Sequence, residues 1–278
     1  MQYGSAELRI KETKDKTKRA GMDISFLALV VILLAIGVTM VLSASFARAY
    51  FDPGGVTKGK ATYYFIRQFI FAALGVAAMI ICSRLPVGFY KRFSMPVLIA
   101  AVILLMLVPI IGTNANGAKR WIGLGAFTIQ PSEIAKIGII LAFASMICAR
   151  RGRMKSFRYG ILPFAAILAA IVGLLVLEPH FSASIIIVAI GGVMLFLGGA
   201  RLIWFIAAAV AAGGGIAVLL TMFPYASTRI TTWRDPFAST SDEGYQIVQS
   251  LYSIGSGGLT GLGLGQSRQK YLYLPEEH

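Results

Sequence analysis

Glu133 and Lys136 stand three residues apart in Gln130-Pro131-Ser132-Glu133-Ile134-Ala135-Lys136, at the mouth of a long apolar run over residues 137–148. On a helix that spacing puts both side chains on nearly one face. Ionisable groups at membrane depth are costly, so they usually face a bundle interior or a wet cavity. Two readings are open: an ion pair that pins two helices, or a polar site inside a membrane protein.

The segments that connect the apolar runs offer more chemistry: Lys119, Arg120, Glu178, His180, Arg229, Arg234, Asp235, Asp242 and Glu243. Trp121 adjoins the basic pair. A cation beside an indole could hold a phosphate near a sugar or lipid face. It could equally be an interfacial aromatic anchor with snorkelling cations. Glu178-Pro179-His180 reads as a tight polar turn, because Pro ends a helix; His180 could also carry a proton. Asp235-Pro236 and Asp242-Glu243-Gly244 read as turn starts, or as sources of a general base held outside the bilayer. Such a carboxylate near a cationic phosphate clamp suits glycosyl transfer from a lipid diphosphate. The acid would deprotonate the acceptor hydroxyl, and the cations would stabilise the departing diphosphate. A transporter remains equally open from the residues alone.

The elements that must position these groups are membrane helices. The 278 residues are 57% hydrophobic and 14% charged, with mean hydropathy +0.74, too apolar for a soluble domain. Seven apolar runs are each long enough to cross a bilayer: residues 24–45, 64–82, 95–112, 131–148, 160–177, 181–199 and 202–223. Runs of this length in lipid mean helices, so the expected class is an all-α, polytopic membrane bundle. The first run is too long for a cleavable signal and lacks a small-residue cleavage site.

Lys and Arg set the orientation. Fifteen fall on one side: Arg9, Lys11, Lys14, Lys16, Lys18, Arg19, Arg84, Lys91, Arg92, Arg150, Arg151, Arg153, Lys155, Arg158 and Arg201. Eight fall on the other: Arg48, Lys58, Lys60, Arg67, Lys119, Arg120, Arg229 and Arg234. The amino terminus is therefore expected in the cytoplasm, with residues 1–21 as a polar tail and 22–278 as the membrane domain. The net charge of +14 follows from this bias and from attraction to anionic lipid headgroups. No basic patch is interleaved with stacking aromatics, so nucleic acid is not an expected partner. Cys82 and Cys148 fall at expected cytoplasmic ends, where a disulfide is disfavoured. Two Cys and two His, widely scattered, make no zinc pattern, and the residues name no cofactor; a divalent-cation requirement is left open.

Two outer segments exceed plain connectors. One is 113–130. The other, 224–278, holds 55 residues, too many for a simple link. Within it 245–254 could be helical or re-entrant, and Gly255-Ser256-Gly257-Gly258 then breaks any helix. Gly261, Gly263 and Gly265 alternate with Leu262 and Leu264. The match to a nucleotide loop is poor, and the expected reading is backbone packed close to helices or to an amphiphilic ligand.

Asn116-Gly117-Ala118-Lys119-Arg120-Trp121-Ile122, followed by Gln130-Pro131-Ser132-Glu133-Ile134-Ala135-Lys136, closely resembles the SEDS family (FtsW, RodA and SpoVE). Gly244-Tyr245-Gln246-Ile247-Val248-Gln249-Ser250-Leu251 adds to the likeness. So do Gly255-Ser256-Gly257-Gly258-Leu259, Gly265-Gln266-Ser267, Gln269-Lys270 and Leu274-Pro275-Glu276. The resemblance runs from about Ile24 to the last residue, and Gln266 to Lys270 looks more like the FtsW and SpoVE branch.

The resemblance implies a peptidoglycan glycosyltransferase. It would polymerise lipid II on the outer face of the cytoplasmic membrane beside a class B penicillin-binding protein, inverting the anomeric carbon. It implies Glu133 and Lys136 as the charged pair of a central cavity, with Lys119, Arg120 and Trp121 as outer-loop substrate contacts. A lipid II flippase, or a scaffold that recruits the penicillin-binding protein, are the alternative readings. Three departures stand out. The family pattern has its favoured base, an Asp, five residues before Gly244, where this chain has Ser239; Asp242, or else Asp235, is expected to substitute. Glu178-Pro179-His180-Phe181-Ser182-Ala183 stands where the family has Gln-Pro-Asp-x-Gly-Thr. About seven of the family's ten spans are expected here, as in a truncated chain.

Overall fold

The computed structural model describes residues 23–51, 54–115, 118–124, 127–178, 180–222, 224–238 and 244–263, together with 265–267, 269, 271 and 273. The chain divides into two compact units: residues 85–222, and residues up to 84 together with those from 223 onward.

The helices are α1 (Ile24–Tyr50), α2 (Tyr63–Arg84), α3 (Val87–Ile111), α4 (Pro131–Ala149), α5 (Leu162–Leu177), α6 (Phe181–Leu197), α7 (Leu202–Met222), α8 (Pro224–Arg234) and α9 (Tyr245–Gly257). All seven apolar runs are helical. Six of these segments are long and apolar enough to cross a membrane, while α6 is a shorter apolar helix of 17 residues.

In the unit of residues 85–222, α4 is the central element, packed against α3 and α6, while α5 packs on α6. Leu105 of α3, Ile139 and Phe143 of α4, Phe164 and Ile171 of α5, and Ile187 of α6 are fully covered. The rings of Phe143 and Phe164 meet edge to face, with centroids 4.9 Å apart and an interplanar angle of 86°, the arrangement that ring quadrupoles favour. Lipid is as apolar as a helix surface, so close contact between small residues supplies much of the attraction. Gly138 shows this: a Cβ there would lie 3.1 Å from Leu98 Cα. Gly138→Val is therefore expected to cost roughly 1–3 kcal/mol through overpacking. The check is thermal unfolding in detergent, where a melting temperature equal to wild type would show that α3 and α4 part freely.

A small antiparallel sheet, ordered β1-β2-β3, interrupts the helices: β1 (Thr113–Ala115), β2 (Ala118–Leu124) and β3 (Phe127–Ile129). The sequence reading had no strands here, because three short strands give little periodic signal. Asn116-Gly117, between the paired Ala115 and Ala118, is the signal of a two-residue hairpin.

In the other unit α1 starts at Asp23, whose carboxylate accepts the Phe26 N–H at 3.0 Å, satisfying one of the free amides of the first turn. α1 packs on α2, and the buried Thr57 hydroxyl donates to Ala49 O at 2.9 Å in the connection between them. Residues 245–254, open to a helical or a re-entrant reading, are helical in α9, which runs on through Gly255 and Ser256 to Gly257 instead of breaking at the first glycine. α8 was not foreseen. Its Ser227, Thr228, Thr231 and Thr232 are weak helix formers that compete for backbone partners, and the Thr231 hydroxyl bonds Thr228 O at 2.9 Å. Of the glycines beyond α9, Gly265 brings its backbone to a helix as expected, its N–H donating to the Ser43 hydroxyl of α1 at 3.3 Å, but Gly258 and Gly261 do not. A Cβ at Gly258 or Gly261 would meet nothing within 4 Å, yet both have positive φ, 58° and 75°. They are turn glycines, in backbone that side chains rarely adopt.

Candidate functional site

One group of polar residues of the 85–222 unit lies where the sheet, the start of α4 and the α5–α6 turn adjoin. Pro131 is the first residue of α4, after an extended Gln130 (φ −102°, ψ 109°). Proline suits this position, where its missing N–H has no helical partner to lose. Glu133 then falls in the first turn, near the positive end of the helix dipole. Glu133 Oε2 and Lys136 Nζ are 2.7 Å apart, with side chains 58% and 22% exposed. Both belong to α4, so the pair does not pin two helices. An exposed pair of this spacing contributes only about 0.3–0.5 kcal/mol in water. Stability is a weak reason for it, and a site at the helix mouth a better one.

β2 delivers Arg120 through a bulge. Ala115 pairs with Ala118, Asn114 with Lys119 and Thr113 with Trp121, so the register steps over Arg120. A bulge re-aims the side chain at its extra residue. Arg120 is half-buried, with its Nε covered, and its charge acts on Glu178 and His180. Lys119 goes elsewhere: its Nζ donates to Pro109 O, at the end of α3, at 3.3 Å. Trp121 is exposed, and its carbonyl accepts from the Thr113 hydroxyl at 3.2 Å. The three neighbours in sequence thus work from different places.

The α5–α6 turn supplies two groups that the sequence reading did not choose as site residues. Glu178 ends α5 and is only 3% exposed, and its Oε1 has no hydrogen-bond partner among the described residues. Burial pushes its carboxyl up to about 7, against the lowering influence of Arg120. His180 precedes α6, and its N–H donates to Leu175 O at 2.9 Å while its own carbonyl accepts from the Ser184 hydroxyl at 3.2 Å. Burial lowers its imidazole below the usual value. Arg120 and Lys136 act in the same direction, and Glu133 opposes them. The ring is therefore neutral at pH 7. Its Nε2 lies 3.4 Å from the Gln130 amide nitrogen. The sequence signal was an acid-Pro-His triplet between two apolar runs; its burial against the sheet was not in that triplet.

The result is a site with two cations, Arg120 and Lys136, one carboxylate committed to an ion pair, and one carboxyl that titrates near neutrality. It can hold an anion and adjust its own charge by a proton. Asp235 lies in the other unit, exposed at the end of α8. Its N–H donates to Thr231 O at 2.9 Å and its carbonyl accepts from Ala238 at 3.4 Å, the turn its sequence suggested. Asp242, Glu243 and Ser239 lie outside the described residues.

Apolar helices around an ionisable site define a multi-pass membrane protein with polar chemistry at one end of its helices. The family of FtsW, RodA and SpoVE, described as "Cell cycle protein", matches residues 24–278, and the chain belongs to it. It is 40% identical over 263 residues to "Probable peptidoglycan glycosyltransferase FtsW" of Saccharophagus degradans, covering 92% of this chain and 66% of that one. It is 35% identical over 263 residues to "Stage V sporulation protein E" of Bacillus subtilis, covering 94% and 70%. A solved structure, "Structural coordination of polymerization and crosslinking by a peptidoglycan synthase complex", superposes with a TM-score of 0.58 at 26% identity, covering 81% of this chain and 66% of that one. The chain spans about two thirds of the length of these relatives.

Proposed function

We propose that this protein is a peptidoglycan glycosyltransferase that polymerises lipid II at the outer face of the cytoplasmic membrane, with its amino terminus inside and a class B penicillin-binding protein as its partner. The observation that carries the reading is the pair of cations, Arg120 and Lys136, at the mouth of α4, in a chain whose relatives include a probable peptidoglycan glycosyltransferase.

The diphosphate of the lipid-linked donor sits against Arg120, whose planar fork matches phosphate oxygens, and within reach of the field of Lys136. Trp121, exposed on the same strand, extends the contact toward the sugar and the lipid. Glu133 holds Lys136 in place. A carboxylate of the outer segment, Asp242 or Asp235, takes the proton from the acceptor hydroxyl. That oxygen bonds to the anomeric carbon from the face opposite the diphosphate, the carbon–oxygen bond to the diphosphate breaks with its electrons, and the configuration inverts. The two cations stabilise the charge that develops on the leaving group.

The deciding experiment incubates purified protein, reconstituted with a class B penicillin-binding protein, with labelled lipid II. Glycan polymer is the expected product. Lipid movement across vesicles without polymer would instead make the protein a transporter, and neither outcome would leave only a scaffold.

A further inference from the structure

Glu133 already has a cation at 2.7 Å. Glu178 is different: it is buried at the end of α5, with an Oε1 that no described group satisfies, in the field of Arg120. A buried acceptor left unmet is costly, so its place beside the cation needs a reason. The groups around it are few. β2 brings Lys119 and Arg120, α4 brings Glu133 and Lys136, and the turn itself brings His180. α5 and α6 contain no ionisable side chain, and the cations of α3, Lys91 and Arg92, sit near its other end.

We propose that Glu178 is a positioning residue for Arg120: its carboxylate balances the guanidinium when no anion is bound, and it takes up a proton when a diphosphate binds there. The inference rests on the reading of Arg120 as the diphosphate contact. A bound diphosphate cancels the cation that favours the Glu178 carboxylate and adds a repelling charge, so the protonated form gains. A group that titrates at about 7 can make that change with a proton from water, and leaves Arg120 its full charge for the ligand.

The sign follows from linkage. The complex holds more protons than the free protein, so binding is tighter at low pH and weakens as pH rises through 7. If the ligand raises Glu178 by about one unit, affinity falls about sixfold from about pH 6.5 to about pH 8.5. The neighbouring imidazole of His180 is lowered by burial, and its own variant serves as the control.

The test uses the purified chain in nanodiscs and a short-chain polyprenyl diphospho-sugar, a diphosphate diester whose charge is constant over this range. Wild type is expected to lose about sixfold in affinity across the window. Glu178→Gln, which mimics the protonated acid, is expected to bind at all pH values as tightly as wild type does at low pH. His180→Gln is expected to keep the wild-type pH dependence. Wild-type calorimetry near pH 7.5 in two buffers of different protonation heat reads the proton directly, with about half a proton taken up, whether or not Glu178→Gln folds. Binding with no pH dependence and no proton uptake, or a Glu178→Gln profile that still falls sixfold, overturns the inference and leaves the proposed function standing. No binding of the diphosphate to wild type overturns both.

Discussion

Arg120→Ala is expected to lower the rate of lipid II polymerisation about 10²–10³-fold, equivalent to about 2.7–4 kcal/mol of transition-state stabilisation. The size comes from what the bulge does. It turns one guanidinium of β2 toward the α5–α6 turn, in a half-buried setting where a fixed charge acts more strongly than in water. The two described cations nearest to it are engaged elsewhere. Lys119 is tied to the end of α3 and Lys136 to Glu133. Arg120→Lys keeps the charge and loses the fork, so it should recover part of the rate. Because the diphosphate is held in both ground and transition states, KM should rise while kcat falls. If Arg120→Ala polymerises at the wild-type rate with an unchanged KM, the anion site is elsewhere.

The other large effect concerns the proton of the acceptor hydroxyl. Removing a general base costs roughly 10²–10⁴-fold in rate. One of Asp242→Ala and Asp235→Ala is expected to show a loss of that size, with Asp242 the first choice. The signature differs from that of Arg120: kcat falls while diphosphate binding is unchanged. Full activity in both variants would remove the outer segment from the chemistry.

The two charged groups of α4 and the groups of the α5–α6 turn show how unevenly the site could be read from the chain. Glu133 and Lys136 lie on one helix, where a spacing of three residues is a distance, and their ion pair follows from the periodicity alone. Glu178 and His180 have no such rule. A polar triplet between two apolar runs looks like a solvated turn. It becomes a buried acid and a neutral imidazole only because the turn packs where β2 and the start of α4 meet. Arg120 is a third case. Its place beside Trp121 suggested a shared clamp, but a one-residue slip in strand register sends neighbours to different partners.

Composition and periodicity determined the seven helices, because in lipid an apolar run of that length has no other way to satisfy its backbone. The motif around residues 116–136 carried the family likeness, and the local spacing carried the opening pair. Tertiary structure decided the rest. It left Glu133 and Lys136 where their spacing put them, on one helix. It also set beside them an arginine delivered by a bulge and an acid titrating at about 7. Those facts depend on burial and on register between segments far apart in the chain, and such long-range geometry leaves no period in the sequence.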